Sequence, residues 1–333
     1  MSLPFAQIRA AVGDPNLLTA PEELHCYSFD ASKMRFAPEA VAFPGNVAEV
    51  CELIKLANRH RFAVYPRGSG SGMVGACLAQ GGLVIVTNRL KSILEIDADN
   101  MTAVLEPGVI TGEFQEAVAR YGLFYPPDPA SLPFATMGGN VATCAGGPRA
   151  VKYGVTRDYL LGLEVVLPTG EVVRTGTRTM KGVVGYDMTR LMAGSEGTLG
   201  IFTKIIVRLI PAPESIRTLT AVFPVLDDAA QAVCEILRNR IIPSTMELMD
   251  QATIRRSKTI FGSDSRLTPR LWCSSRWTGQ ILFWTARLRE SRRFAAKRGQ
   301  ATPRPPALRP KETSSGRRAG RYRPPWAGSD PGK

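Results

Sequence analysis

Residues 40–87 read AVAFPGNVAEVCELIKLANRHRFAVYPRGSGSGMVGACLAQGGLVIVT, and the fold turns on what this stretch has room to form. The run AVAFP (40–44) is a short apolar strand ending at Pro44, and FAVYP (62–66) is a second. Between them Asn46 is placed to cap a helix, after which Val47, Val50, Leu53, Ile54 and Ala57 recur at helical spacing. A strand–helix–strand unit with a crossover of that length predicts a parallel pair. Gly68, Gly70 and Gly72 follow the second strand directly. Such alternating glycines let successive backbone N–H groups turn toward one anion without Cβ clashes, and a pyrophosphate suits that concavity.

Two familiar nucleotide loops do not fit. No Lys-Ser/Thr pair follows, which excludes a Walker A loop. Gly70, Gly72 and Gly75 satisfy G-x-G-x-x-G with Asp97 at a suitable distance, but only about six residues separate that loop from GGLVIVT (81–87). The dinucleotide-binding fold needs a helix in that interval, so it is rejected.

Beyond this unit the pattern is richer in strands. GGLVIVT, SILEIDADNMTAVLEPG (92–108) and LGLEVVLPTGEVVRTG (161–176) read as β segments, the last with a Pro-Thr-Gly turn between two alternating runs. ITGEFQEAVARYG (110–122) is an amphipathic helix, and GTLGIFTKIIVRLIP (197–211) is a further strand closed by Pro211. The fold class is α+β: a small parallel βαβ subdomain followed by a larger mixed or antiparallel sheet with helices. There is no internal repeat.

Two more glycine clusters join the first. PPDPASLPFATMGGNVATCAGGPRAVKYG (126–154) holds an extended path with its prolines, then brings Gly138, Gly139, Gly146 and Gly147 together with Asn140 and Thr143. GYDMTRLMAGSEGTLGIFTKI (185–205) places Glu196 among Gly194, Gly197 and Gly200 at the entry to a strand. One cluster alone is explained by tight turns in a β-rich protein. Three of them, each interleaved with hydroxyl, amide or carboxylate side chains, point to one long polar ligand.

YPRGSGSG (65–72), PPDPAS (126–131) with TMGGNVATCAGG (136–147), and GYDMTRLMAGSEGTLGI (185–201) resemble, in this order, the signatures of FAD-linked oxidases of the vanillyl-alcohol-oxidase type. The likeness is to the branch holding glycolate oxidase D subunits and D-lactate dehydrogenases, and it covers roughly residues 5–255. It implies a p-cresol-methylhydroxylase (PCMH) type FAD-binding domain over residues 1–220 and the start of a cap domain over 221–255. By the same resemblance Pro66, Arg67, Gly68, Ser69, Gly70 and Ser71 would line the pyrophosphate. Pro129, Thr136, Gly138, Gly139, Asn140, Thr143 and Gly146 would follow the adenine–ribityl path toward the flavin, and Glu196 and Ile201 would hold its far end. Ser69 and Ser71 stand in the loop where some members attach FAD through a histidine, so the FAD is expected to be non-covalent.

The implied reaction is oxidation of a 2-hydroxy acid such as glycolate or D-lactate to the 2-oxo acid, with hydride transfer to flavin N5. Electrons would pass to a partner subunit, a quinone or a cytochrome. That chemistry needs a base for the hydroxyl proton and a cation for the carboxylate. The family places a His-rich segment in its cap, whereas the two histidines here are His25 and His60, both outside the motifs. No catalytic residue is therefore assigned, and an FAD-binding remnant without a substrate site is the alternative.

Composition divides the chain at the same place. The net charge of +13 suggests a nucleic-acid binder, but residues 1–255 carry 23 Lys/Arg against 25 Asp/Glu, while residues 256–333 carry 19 against 4. All four tryptophans (Trp272, Trp277, Trp284, Trp326) lie in the basic part, where regular periodicity stops and Pro, Gly and Arg accumulate. Such a segment is expected to be disordered. Trp has one codon, and reading one base back turns each into Leu, Met or Val. Residues 256–300 can then be rewritten as an apolar strand followed by an acidic amphipathic helix, which resembles the family's continuation. The expectation is an out-of-frame tail over 256–333 and a missing cap domain, with a basic nucleic-acid-binding arm as the competing reading.

Six cysteines (Cys26, Cys51, Cys77, Cys144, Cys234, Cys273) show no metal-ligand spacing, so neither a metal site nor a disulfide framework is expected. The opening MSLPFAQIRAAVGD does not read as a signal peptide, and no apolar run reaches the roughly 18 residues that span a bilayer. The expected setting is cytoplasmic, or peripheral to an inner membrane through partner subunits.

Overall fold

The computed structural model describes residues 3–223, 225–250, 252–253 and 271–278. After helix α1 (Phe5–Val12), a four-stranded sheet forms from β1 (Leu17–Leu18), β2 (Ala40–Ala42), β3 (Val64–Arg67) and β4 (Leu83–Val86), in the order β1-β2-β4-β3. Helix α2 (Pro21–His25) lies between β1 and β2, and helix α3 (Val47–His60) makes the predicted crossover between β2 and β3. Asn46 starts α3 by accepting the Glu49 N–H at 3.0 Å, while the Glu49 carboxylate accepts the Gly45 N–H at 2.7 Å. This reciprocal arrangement satisfies donors that a helix start leaves open.

β2 and β3 are not neighbours, as the parallel-pair expectation had them. β4 lies between and pairs parallel to both, from Ala40↔Leu83 to Ala42↔Ile85 on one side and Val64↔Leu83 to Arg67↔Val86 on the other. The all-apolar Leu-Val-Ile-Val of β4 is buried throughout, as a central strand covered on both faces requires. α3 buries Val50, Leu53, Ile54 and Leu56 in a core that also takes Ile85 of the small sheet, and buries Ala57 beside them.

The larger sheet contains β5 (Ile93–Asp97), β6 (Thr102–Leu105), β8 (Leu160–Val166), β9 (Val172–Gly176) and β10 (Ile201–Arg208), all antiparallel, in the order β5-β6-β10-β8-β9. The expected Pro-Thr-Gly turn joins β8 to β9, closed by the Leu167 N–H donating to the Glu171 carbonyl at 2.8 Å. Helix α4 (Thr111–Ala119) covers this sheet with Phe114 and Val118, and helix α5 (Met137–Thr143) adds Met137 and Val141 to the same core. Short β7 (Leu123–Phe124) pairs with β11 (Ile210–Pro211). Val166 and Ile201 of the large sheet pack with α3, so the two sheets share a core. Between α5 and β10 lie α6 (Ala150–Tyr153) and α7 (Met188–Met192).

A third sheet follows. β12 (Ile216–Val222), β13 (Thr245–Asp250) and β14 (Leu271–Thr278) form it in the order β12-β14-β13, with α8 (Leu226–Arg238) between the first two in sequence. β12 runs across residue 220, the expected end of the first domain, and Leu271–Thr278, within the segment expected to be a disordered tail, is a strand. The reason is long-range pairing: Ile216↔Thr278 to Val222↔Trp272 on one side and Thr245↔Arg276 to Asp250↔Leu271 on the other saturate both backbone edges of β14. Local periodicity, which stops in this part of the sequence, does not report such pairing. The rest of the expected tail lies outside the described residues.

Candidate functional site: a glycine-walled cleft between the sheets

β3 ends at Arg67, and the chain then enters the loop Gly68–Gly72 at the junction of the two sheets. Arg67 is 6% exposed and points back under this loop, where its Nη2 donates to the Phe29 carbonyl at 2.8 Å and its guanidinium carbon lies 5.7 Å from the centre of the Tyr27 ring. Gly70 has φ +70°, and a Cβ there would fall 2.2 Å from Arg67 Nη2, so the turn over the arginine is open only to glycine. Among the described residues, no group accepts a hydrogen bond from the backbone N–H of Gly68, Ser69, Gly70, Ser71 or Gly72. A run of unpaired N–H groups above a buried cation attracts an anion.

Facing this loop is the start of α5. Thr136 caps the helix by accepting the Gly139 N–H at 3.2 Å, and a Cβ on Gly68 would fall 2.2 Å from that same Thr136 oxygen. The Gly68 backbone therefore lies directly against the Thr136 side chain. Gly138 permits a second close approach, since its Cβ would lie 2.6 Å from Pro107 Cβ. Asn140 is buried and donates to Thr111 Oγ1 at 2.6 Å, and Thr111 donates on to the Ala135 carbonyl at 3.0 Å. Thr143 donates to the Gly139 carbonyl at 3.0 Å.

The third cluster closes the far end. The Gly194 and Glu196 N–H groups donate to Val141 and Ala142 carbonyls at 3.0 and 2.8 Å, which seats this turn on α5. Glu196 has φ +54°, a left-handed conformation uncommon for a residue with a side chain. Its neighbour Ser195 has a buried hydroxyl oxygen with no partner among the described residues.

The three clusters wall one open cleft of about 270 Å³. Of the residues expected from sequence, Pro66, Arg67, Gly68, Ser69, Gly70, Ser71, Pro129, Thr136, Gly138, Gly139, Asn140, Thr143, Glu196 and Ile201 line it, and Gly146 does not. Gly146 lies instead near Val155 and Ala150. The cleft also takes in residues that the sequence reading missed, among them Asp30, Met73, Val74, Cys77, Thr87, Pro107, Ser131 and Phe202. Ser131 ends the PPDPAS motif and Thr87 ends the strand GGLVIVT, so both were within reach, whereas Asp30 is isolated in sequence and carried no signal. Burial raises the Cys77 thiol above its ordinary range, against the pull of the Arg67 charge. Neither His25 nor His60 borders the cleft, and His60 Nε2 lies 3.1 Å from Gln7 Oε1 on the surface. Among the described residues there is no group of metal-ligating side chains, and no helix is long and apolar enough to cross a membrane.

These features fit FAD on two counts. The walls close where glycine alone fits, leaving main-chain donors for a diphosphate, and the orphaned Ser195 hydroxyl stands in the turn at the far end. Comparison with known proteins agrees. Residues 38–176 match the model of the FAD binding domain family, and residues 212–273 match that of the C-terminal domain of FAD linked oxidases. The second match runs into β14. The glycolate oxidase subunit GlcD of Bacillus subtilis is 49% identical over 230 residues, which is 68% of this chain and 49% of that protein. A D-lactate dehydrogenase of Anaerostipes hadrus is 38% identical over 226 residues, 68% of this chain and 47% of that protein. The chain thus spans about half the length of these curated relatives. Among solved structures, an alkyldihydroxyacetonephosphate synthase superposes with a TM-score of 0.75 at 22% identity, covering 89% of this chain and 61% of that one. p-Cresol methylhydroxylase superposes with a TM-score of 0.67 at 18% identity, covering 90% and 66%. These two show the fold, which is of the PCMH type.

Proposed function

Since the chain belongs to the FAD-linked oxidases and FAD is its cofactor, we propose that it serves a dehydrogenase oxidising a small 2-hydroxy acid, such as glycolate or D-lactate, to the 2-oxo acid. The observation that carries the cofactor half of this reading is the row of unpaired N–H groups at Gly68–Gly72 set over buried Arg67 and against the Thr136 cap. The substrate half rests on the likeness to a glycolate oxidase subunit and a D-lactate dehydrogenase.

FAD, when bound, supplies a hydride acceptor for the carbon that carries the hydroxyl. The protein's own residues bind and orient it. Gly68, Ser69, Gly70 and Ser71 would hold the diphosphate through their main-chain N–H groups, with Pro66 ahead of them in β3 and the Arg67 charge beneath. Pro129, Thr136, Gly138, Gly139, Asn140 and Thr143 shape the wall along the cofactor, and Glu196 and Ile201 close its end. Asn140 is held in place here by the bond from one of its amide hydrogens to Thr111. Electrons leave to a partner subunit, a quinone or a cytochrome.

A second reading has a specific observation behind it: no histidine borders the cleft, so the described residues offer no imidazole base for the hydroxyl proton. On that reading the chain binds FAD without turning over. Purified full-length chain should show a flavin absorption spectrum. Bleaching on anaerobic addition of glycolate or D-lactate supports the dehydrogenase, a stable yellow protein supports the binding domain, and colourless protein that takes up no added FAD overturns both.

A further inference from the structure

The glycine loop is held by a segment that belongs to none of the three sequence clusters. Residues 27–35 pass beneath it, folded on themselves by a Phe29↔Arg35 bridge and by the Phe36 N–H donating to the Ser28 carbonyl at 2.8 Å. This segment grips the loop at three successive points. At its root, Arg67 donates to the Phe29 and Tyr27 carbonyls at 2.8 and 3.4 Å. At its far end, the Ala31 N–H donates to the Gly72 carbonyl at 3.0 Å. Beyond that, the Gly75 N–H donates to Asp30 Oδ2 at 3.1 Å. The other oxygen of Asp30 accepts the Ser32 N–H at 2.8 Å and the Ser32 hydroxyl.

We propose that Asp30 is a positioning residue for the cofactor: its buried carboxylate ties the glycine loop to the 27–35 segment and so presets the N–H groups that receive the diphosphate. The inference rests on the flavin reading above and extends it, because the matched FAD binding domain begins at residue 38 and leaves Asp30 outside. Asp30 is 7% exposed and borders the cleft, where an unmatched carboxylate would repel a diphosphate. Its two oxygens are instead committed to three donors, which spreads the charge into the protein and away from the ligand. The free amides of Gly68–Gly72 lie between the clamp points, so the ligand meets donors whose ordering cost has been met in folding. A positioned, charged acceptor of this kind contributes about a tenfold effect when one of its bonds is lost.

The test compares Asp30→Asn and Ser32→Ala in the full chain. An amide at position 30 keeps one oxygen for Ser32 and turns an N–H₂ toward the Gly75 N–H, so the loop contact alone is lost. Ser32→Ala removes a hydroxyl that does not touch the loop. Dissociation constants for FAD, by quenching of flavin fluorescence, and for ADP, by calorimetry, are expected to rise together by about tenfold in Asp30→Asn and to stay within twofold in Ser32→Ala. At saturating FAD the visible spectrum of Asp30→Asn should match the parent, since the flavin ring is not displaced. Should Asp30→Asn fail to fold, hydrogen exchange on flavin-free parent protein decides: protection of the Gly75 amide supports a pre-clamped loop, and free exchange overturns it. Parent and Asp30→Asn binding FAD equally well would overturn the inference and leave the flavin reading standing. A parent that binds no FAD would remove both.

Discussion

Gly68→Ala probes the contact on which the cleft depends. A Cβ at this position would lie 2.2 Å from Thr136 Oγ1 but 3.5 Å from Thr136 Cβ, so the hydroxyl oxygen is the obstacle. Real Cβ contacts stay outside 3.0 Å, and the loop and α5 must therefore separate by on the order of 1 Å, or Thr136 must give up its cap. Overpacking of this kind costs about 2 kcal/mol, and loss of the cap in which Thr136 accepts the Gly139 N–H about 1 kcal/mol. Thr136→Ala alone should thus destabilise by about 1 kcal/mol. Adding Gly68→Ala to Thr136→Ala should cost little more, because the offending oxygen has gone and the remaining 3.5 Å contact is ordinary. The double-mutant cycle then shows a coupling of about 2 kcal/mol in the direction of rescue. Thermal unfolding of the four proteins without flavin reads the cycle, and FAD titration reads the site, where Gly68→Ala should weaken binding at least about tenfold by displacing the loop. Additive costs in the cycle, or a Gly68→Ala protein with parental stability and affinity, would refute the close approach of loop and helix.

Three further expectations are open to direct measurement. Burial pushes the Glu164 carboxyl up, but hydrogen bonds from Arg174, Lys204 and Thr203 outweigh it, and its pKa falls below the ordinary 4.5. A carboxyl depressed in the folded state stabilises above its unfolded pKa and loses that contribution as pH falls through the folded value. Melting temperature should therefore decline on acidification below about pH 4.5, and less steeply in Glu164→Gln. Asn46→Ala removes the cap of α3 and should cost about 1 kcal/mol in unfolding while leaving FAD affinity unchanged, since no residue of α3 borders the cleft. Finally, the coding DNA across residues 256–300, read one base back, should encode an apolar strand followed by an acidic amphipathic helix. A coding sequence whose alternate frame encodes neither would make the basic tail a feature of this protein.

Much of this molecule was legible from local pattern, because the relevant constraints are local. The Asn46 cap, the 3.6-residue spacing of Val50, Leu53, Ile54 and Ala57, and the Pro-Thr-Gly turn each act within a few residues of themselves. Glycine motifs were legible for a related reason: a glycine dense in polar company marks a place where a side chain would collide, as at Gly68 and Gly138. The insertion of β4 between β2 and β3, and of β14 between β12 and β13, left no such trace. Strand order follows from which distant edges meet, and a hydrophobic alternation is the same whichever neighbour it finds. Asp30 belongs with these. In sequence it is one acidic residue in an unremarked stretch, and its role exists only once Gly75, 45 positions away, delivers an N–H to it. Chain chemistry alone pointed to one long polar ligand among glycine-rich turns; the fold decided how those turns meet and what holds them, because hydrogen bonds and steric contact depend on distance in space.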